Sequence, residues 1–314
     1  MLDVTGVDNG PGTPIRYYPR GDARTQVAGK RAFLPLAGSS QPGCGKGTES
    51  HISSRSLFNR TSRCYPDGML PVVEGVIRRR VLLNFRVAPE IVAPLIPDPL
   101  EVLMHGEAAI VGICLIGMER LRPKGVPGWL GIASENMAHR IAIRYPTGTG
   151  MSDGVFIWRR DTDQCLVTLL GGRLFPGVHQ RAAFTIEEND KDVSISVRTQ
   201  DRLADVRFDA SHETEWCSHS VFSTFDDAVT FFRRGDCGFS CSLREGRLDG
   251  LQLKTLRWEM QPLRVNQLHS AFFEDRERFP SNTVQFDCAL MMRGIPHEWH
   301  EISDVPELAG ALQQ

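Results

Sequence analysis

The sequence lacks any apolar run long enough to cross a bilayer as a helix. Its longest such run, Ala108 to Met118, is bounded by Glu107 and Glu119, and a spanning helix needs roughly 20 apolar residues. The sequence also lacks the basic and then apolar opening of a secretory signal peptide, because Asp3 interrupts the start. We therefore predict that the protein has no membrane association.

An excess of charge of one sign is lacking as well. The chain has 36 Lys and Arg against 38 Asp and Glu, a net charge of −2, and this balance argues against a general nucleic-acid binder. Its eight cysteines are widely spaced, which predicts reduced thiols and a cytoplasmic protein. What is present, 41% hydrophobic and 24% charged residues in 314, is enough for a sizeable folded core.

The first 68 residues differ in composition from the rest of the chain. They carry a net charge of +4, against −6 for residues 69–314, and 23 of them are Gly, Pro or Ser. Such a segment has little apolar surface to offset the entropy that is lost when a chain becomes ordered. We predict a disordered extension over residues 1–68 and one folded domain over residues 69–314.

Within this extension, residues 40–48 (SQPGCGKGT) are similar to a phosphate-binding loop. In such a loop, backbone N–H groups and a lysine hold the phosphates of a nucleotide. However, Ser40 stands in place of the first glycine, and Pro35 interrupts the strand that should precede the loop. Nucleotide binding here is a distant alternative, and the composition favours a disordered Gly-rich stretch.

Residues 69–314 predict a mainly β fold of the α+β class. The segment from Phe225 to Arg234 is predicted to be a helix because Asp226 and Asp227 lie in its first turn and Gly235 follows it. A shorter helix is predicted at Pro89. So few helices exclude an alternating α/β fold, and closure into a barrel is the natural solution for many strands. The predicted strands are 76–86, 108–118, 137–145, 154–158, 166–170, 182–187, 193–198, 248–258, 283–292 and 297–302.

The histidine and cysteine motifs do not have the spacing of a metal site. His297 and His300 are three residues apart, so a strand would point them to opposite faces. Cys237 and Cys241 lack the second pair of ligands that a structural zinc site needs. We predict neither a metal nor a cofactor. The chain also has no Gly-x-Ser-x-Gly motif, so a serine hydrolase is not indicated.

Several blocks of sequence resemble a known superfamily. Residues 83–90 (LNFRVAPE) and 95–102 (LIPDPLEV) resemble the opening of the acetoacetate decarboxylase-like proteins. Residues 121–128 (LRPKGVPG) and 286–293 (FDCALMMR) resemble its YqjF-like branch, the domain of unknown function 2071. The resemblance covers most of residues 76–302. It implies a cone-shaped β barrel with a few short helices, a central cavity for a small-molecule partner, and assembly into a homo-oligomer.

The resemblance implies a site that has lost its nucleophile. The decarboxylase forms a Schiff base through a lysine, and a second lysine beside it lowers the pKa of that amine. Matching the motifs places Gln180 at the Schiff-base lysine and Arg181 at its neighbour. A glutamine amide cannot condense with a carbonyl group, and an arginine stays protonated. A Schiff-base decarboxylase is therefore not predicted.

The same matching places Arg78 and Glu135 at the family's arginine and at one of its glutamates. We predict that Arg78, Gln180 and Arg181 bind a ligand, since two guanidinium groups can clamp a carboxylate. Glu135 and His179 are the predicted catalytic residues, as a general acid or base. The alternative is structural, because buried Arg and Glu side chains often pair with each other.

Two functions of different classes remain open at this point. The first is an enzyme that acts on a small carboxylate or carbonyl compound without a lysine adduct. The second is a non-catalytic barrel that binds such a compound. A closed polar cavity in which Glu135 faces His179 or Arg181 would favour the enzyme. A larger apolar cavity with Glu135 held in an ion pair would favour the binding protein.

Overall fold

The computed structural model describes residues 2–3, 71–164, 177–242 and 247–302. The phosphate-loop-like segment 40–48, the predicted strand 166–170 and nearly all of the predicted extension lie outside these residues. None of the helices within the described ranges is long and apolar enough to span a membrane.

The described residues form a mainly β structure with a few short helices, which confirms the predicted fold class. The helices are α1 (Pro89–Val92), α2 (Phe225–Arg234) and α3 (Ala271–Glu274), with 3-10 turns at Ala93–Leu95 and Gly128–Leu130. The first seven strands are β1 (Leu2–Asp3), β2 (Val73–Val87), β3 (Glu101–Val102), β4 (Met104–His105), β5 (Ala108–Pro123), β6 (Ile132–Thr147) and β7 (Gly150–Thr162). The remaining strands are β8 (His179–Glu188), β9 (Asp192–Thr199), β10 (Val206–His212), β11 (Cys237–Cys241), β12 (Leu248–Thr255), β13 (Gln261–Ser270) and β14 (Val284–Glu301).

The strand pairings close into a ring. Strand β2 pairs with β5 and β14, β5 pairs with β6, and β6 pairs with β7. From β7 the circuit passes through β11 and β12 and returns to β14. Strands β8, β9, β10 and β13 connect the same two strands, β7 and β14, by a second route. The sheet therefore branches at β7 and β14, and two cores form against the strands that both circuits share.

Strand β2 shows how the two cores are built, because it is buried on both faces. Val81, Leu83 and Phe85 belong to one core, which the side chains of β8 to β10, β13 and α3 complete. Leu82, which points the other way, belongs to a second core that α2 covers. A strand buried on both faces has a nearly continuous run of apolar residues. This explains why β2 and β5 are recognisable in the sequence.

Helix α2 has the predicted bounds, and Asp226 and Asp227 lie in its first turn as predicted. The Thr224 side chain accepts a hydrogen bond from the backbone N–H of Asp227 at 3.1 Å, which satisfies one of the free donors of the first turn. Phe231 and Phe232 are buried together with Ala228, whereas Phe225 is only partly buried.

Candidate functional site

A β-bulge in β2 brings two consecutive arginines to the same group of carboxylates. Ile77 pairs with Met118 and Arg79 pairs with Gly117, so Arg78 has no partner residue on β5. Such a bulge places two residues opposite one and changes the alternation of side chains along the strand. As a result, Arg78 and Arg79 both reach the carboxylate of Glu135.

Glu135 lies on β6, directly opposite Gly117 on β5. A Cβ atom added at Gly117 would lie 2.7 Å from Oε1 of Glu135, which is too close for real atoms. The glycine therefore leaves the space that the carboxylate occupies. The side chain of Glu135 is 13% exposed, so its contacts form largely away from solvent.

We call the resulting group the Glu135 cluster; it consists of Arg78, Arg79, Glu135, Glu188 and Arg293. Arg79 Nη2 lies 2.6 Å from Glu135 Oε2, and Arg79 Nη1 lies 2.9 Å from Glu188 Oε1. Arg78 Nη2 donates to Glu135 Oε1. Arg293 Nη1 lies 2.9 Å from Glu188 Oε2. Both oxygens of Glu135 are therefore already engaged by guanidinium donors.

The Glu135 cluster carries an excess of positive charge. Three guanidinium groups share two carboxylates through these ion pairs. The Arg79 side chain is 1% exposed, whereas that of Arg78 is 48% exposed. Arg79 Nε and Arg293 Nε have no hydrogen-bond partner among the described residues. The cluster thus offers spare donors and one half-exposed guanidinium at its edge.

The structure places the other three predicted residues at the start of β8. His179, Gln180 and Arg181 pair in parallel register with residues 160–162 of β7. Strand β7 separates them from Glu135, whose backbone N–H donates to Asp163 Oδ1 at 3.0 Å. Gln180 and Arg181 are exposed. Arg78 and Glu135 therefore form one site, and the β8 residues lie beside it across a strand.

His179 is mostly buried, and its Nδ1 lies 3.2 Å from the carbonyl oxygen of Gly177. A carbonyl oxygen only accepts, so this hydrogen bond requires the Nδ1–H tautomer and leaves Nε2 as an acceptor. Burial, followed by the nearby Arg160 guanidinium, lowers the pKa of His179 to about 4. The imidazole is therefore neutral at neutral pH and could accept a proton.

His139, on the same strand as Glu135, is fully buried and stacks against Phe272 with ring centroids 4.3 Å apart. Burial, followed by the positive charges of Arg159 and Arg278, lowers the pKa of His139 to about 3. Neither ring nitrogen has a hydrogen-bond partner among the described residues. This histidine acts as a neutral aromatic residue of the core.

Sequence reasoning missed Arg79, Glu188 and Arg293. The clue that was available is the run of three arginines at Arg78 to Arg80 inside an apolar strand, because charged residues are rarely fully buried unless paired. Glu188 and Arg293 are far from Arg79 in the sequence, and only the pairing of strands brings them together. In the described ranges, no three His, Cys, Asp or Glu side chains are grouped as metal ligands.

Comparison with known proteins identifies a family. Residues 76–291 match the model of the domain of unknown function 2071 family, which is described as an uncharacterized conserved protein. This confirms the predicted resemblance. No curated protein matches the chain.

Several solved structures are similar to the chain at low identity. Acetoacetate decarboxylase from Legionella pneumophila has 10% identity and a TM-score of 0.49, with 84% of this chain and 100% of that one covered. An acetoacetate decarboxylase-like enzyme from Sphingomonas wittichii RW1 has 11% identity and a TM-score of 0.46, covering 78% and 93%. The enduracididine biosynthesis enzyme MppR, complexed with pyruvate, has 10% identity and a TM-score of 0.46, covering 76% and 90%.

Proposed function

The chain belongs to the domain of unknown function 2071 family, and from this premise we propose that it binds a small carboxylate or carbonyl compound at the Glu135 cluster without forming a lysine adduct. The observation that carries the proposal is the charge of the cluster. Three guanidinium groups share two carboxylates, and the Arg78 side chain is 48% exposed. A planar guanidinium with free donors suits bidentate recognition of a carboxylate.

The lysines of the described residues support a mechanism without a Schiff base. Lys124, Lys191 and Lys254 are all exposed. Lys124 Nζ lies 2.7 Å from Glu298 Oε1, and this hydrogen bond raises the pKa of the amine. A Schiff-base lysine needs the opposite shift, because only the neutral amine attacks a carbonyl. Gln180, at the position of the family's lysine, cannot supply the nucleophile.

The geometry of Glu135 favours binding over catalysis. Both carboxylate oxygens accept hydrogen bonds from arginines, so a ligand would compete with a guanidinium group for each of them. In this form the protein is a receptor in which Arg78 provides the accessible charge and the rest of the cluster holds it in place.

A second candidate function is a lysine-independent enzyme. It is favoured by His179, whose lowered pKa of about 4 leaves a neutral imidazole with an acceptor nitrogen at neutral pH. In this form Glu135 must release one arginine when the ligand binds, and His179 must reach the ligand across β7.

Proton NMR of the full chain with a panel of oxo and hydroxy acids tests both functions. Ligand broadening without turnover that Arg78→Ala abolishes, and that the exposed-site control Arg257→Ala retains, would support the receptor. Consumption of a substrate by the parent, lost in Glu135→Gln and His179→Gln, would establish the enzyme instead. Absence of both broadening and turnover with every acid would contradict carboxylate binding.

A further inference from the structure

A second group of arginines lies on the opposite face of the same strands. Arg80 on β2, Arg140 on β6 and Arg160 on β7 surround Cys114 on β5 in the register of the sheet. Cys114 pairs with Leu82 and Ala138, and Ala138 pairs with Arg160. Arg80 and Arg140 lie two residues along the neighbouring strands on either side. Directly paired residues share a face of the sheet, so all three arginines point to the side of Cys114.

The contacts of Arg80 leave part of its guanidinium unused. Arg80 is 8% exposed, and its Nε donates to the thiol of Cys114 at 3.4 Å. Its guanidinium carbon lies 5.3 Å from the centre of the Trp258 ring. Arg80 Nη1 and Trp258 Nε1 are both buried without a hydrogen-bond partner among the described residues.

Arg140 and Arg160 are incompletely satisfied in the same way. Arg140 is 5% exposed, donates from Nη2 to Asn84 Oδ1 at 2.8 Å and packs 5.3 Å from the centre of the Phe232 ring. Its Nε has no partner in the described ranges, nor have Arg160 Nε and Nη2. Together the three side chains have four buried nitrogen donors without a hydrogen-bond partner among the described residues.

No carboxylate in the described part of the chain makes an ion pair with any of these three arginines. The acidic residue that acts on Arg160 is Asp249, and its Oδ2 already accepts from the backbone N–H of Gly177 at 2.7 Å. Burial lowers the pKa values of Arg140 and Arg160, each to about 10, which still leaves both protonated at neutral pH. Buried charges are costly unless they are paired and hydrogen-bonded.

We propose that Arg80, Arg140 and Arg160 form a second, separate anion site, which binds a small oxyanion of charge −2, a phosphate monoester or a dicarboxylate. Oxygens of the ligand accept from Arg80 Nη1, Arg140 Nε and Arg160 Nε and Nη2. The apolar part of the ligand lies against the rings of Trp258 and Phe232. The site differs from the Glu135 cluster, because among the described residues no carboxylate forms an ion pair with any of its three arginines, and the carboxylate that acts on Arg160, Asp249, is held by the backbone of Gly177.

Calorimetric titration of the full chain with inorganic phosphate and with succinate tests this site, with acetate as the singly charged comparison. We expect saturable binding of at least one dianion, weaker binding of acetate, and a loss of at least tenfold in affinity in Arg80→Met. The surface variant Arg257→Met, whose side chain is 51% exposed in the parent, should retain the parent affinity within about twofold.

A measurement on the parent protein covers the case in which Arg80→Met does not fold. The indole N–H of Trp258, identified by Trp258→Phe, should show a saturable chemical-shift change with the dianion that binds. The indole N–H of Trp129, which is 81% exposed, should not. Absence of dianion binding, unchanged affinity in Arg80→Met, or an unmoved Trp258 signal would each overturn the proposal. A phosphate response without a succinate response identifies the phosphate source, and the reverse identifies the dicarboxylate.

Discussion

Arg79 and Arg80 are neighbours on β2, and both are almost fully buried, yet they illustrate two different ways of burying a charge. The guanidinium of Arg79 meets Glu135 and Glu188 at 2.6 and 2.9 Å. The guanidinium of Arg80 meets a thiol, an indole ring and, among the described residues, no carboxylate. The first charge is compensated by the protein. The second has no such partner among the described residues, which is why we assign a ligand to that face.

The largest expected effect comes from replacing Arg79 with methionine. Arg79→Met would leave the carboxylates of Glu135 and Glu188 without their central partner, and breaking such a buried pair costs about 3 kcal/mol or more. Arg80→Met removes a buried charge that has no carboxylate partner, so the stability without ligand should stay the same or rise by about 1 kcal/mol. Urea unfolding of both variants measures the difference. Equal destabilisation by the two substitutions would remove the contrast between the faces.

The next largest effect is a pH dependence of the free energy of unfolding. It comes from His139, which lies on the same face of β6 as Glu135. The folded pKa of His139 is lowered to about 3, below the value of about 6.5 in the unfolded chain. As the pH falls below about 6.5, the unfolded state binds the proton first, so stability is lost on acidification. The loss from His139 is about 1.6 kcal/mol between pH 6.5 and pH 5.

His139→Phe keeps an aromatic ring against Phe272 and removes this titration. Urea unfolding at several pH values should show a shallower loss of stability in the variant than in the parent. His179 and His297, whose pKa values are lowered by burial to about 4, still contribute a loss in both proteins. If the free energy of unfolding falls equally with pH in parent and variant, His139 is not buried as a neutral ring.

The sequence is sufficient to predict the parts of the fold whose apolar pattern is continuous. Strands β2 and β5 and helix α2 are recognised because burial on two faces, or on one helical face, leaves a clear pattern. Strand β13, Gln261–Ser270, is not predicted, because Pro262, Arg264 and Asn266 interrupt its apolar residues. The predicted pair 283–292 and 297–302 is one strand, β14, which continues through Gly294 and Pro296.

The candidate site is less predictable than the fold for a physical reason. Motif matching identifies Arg78 and Glu135, which do form an ion pair. The bulge that turns Arg79 toward Glu135 depends on the register between β2 and β5, and no local pattern encodes that register. Arg78 and Arg79 lie on one face of β2 and Arg80 lies on the other. This division likewise follows from the alternation of side chains along a strand whose two faces are both buried. The roles predicted for His179, Gln180 and Arg181 remain predictions.

The smallest expected effect concerns His297, which is 4% exposed. Burial, followed by the charge of Arg80, lowers the pKa of His297 to about 4. Arg80→Met should therefore raise this pKa, but leave it below 6.5 because burial is the larger cause. NMR titration of the ring protons measures the change, with His139 as the control, since Arg159 and Arg278 are the charges that act on it. An unchanged pKa of His297, or an equal shift in the pKa of His139, would show that the two faces are not electrostatically separate.

A dianion bound beside Arg80 in the parent should also raise the pKa of His297, because it neutralises the same charge.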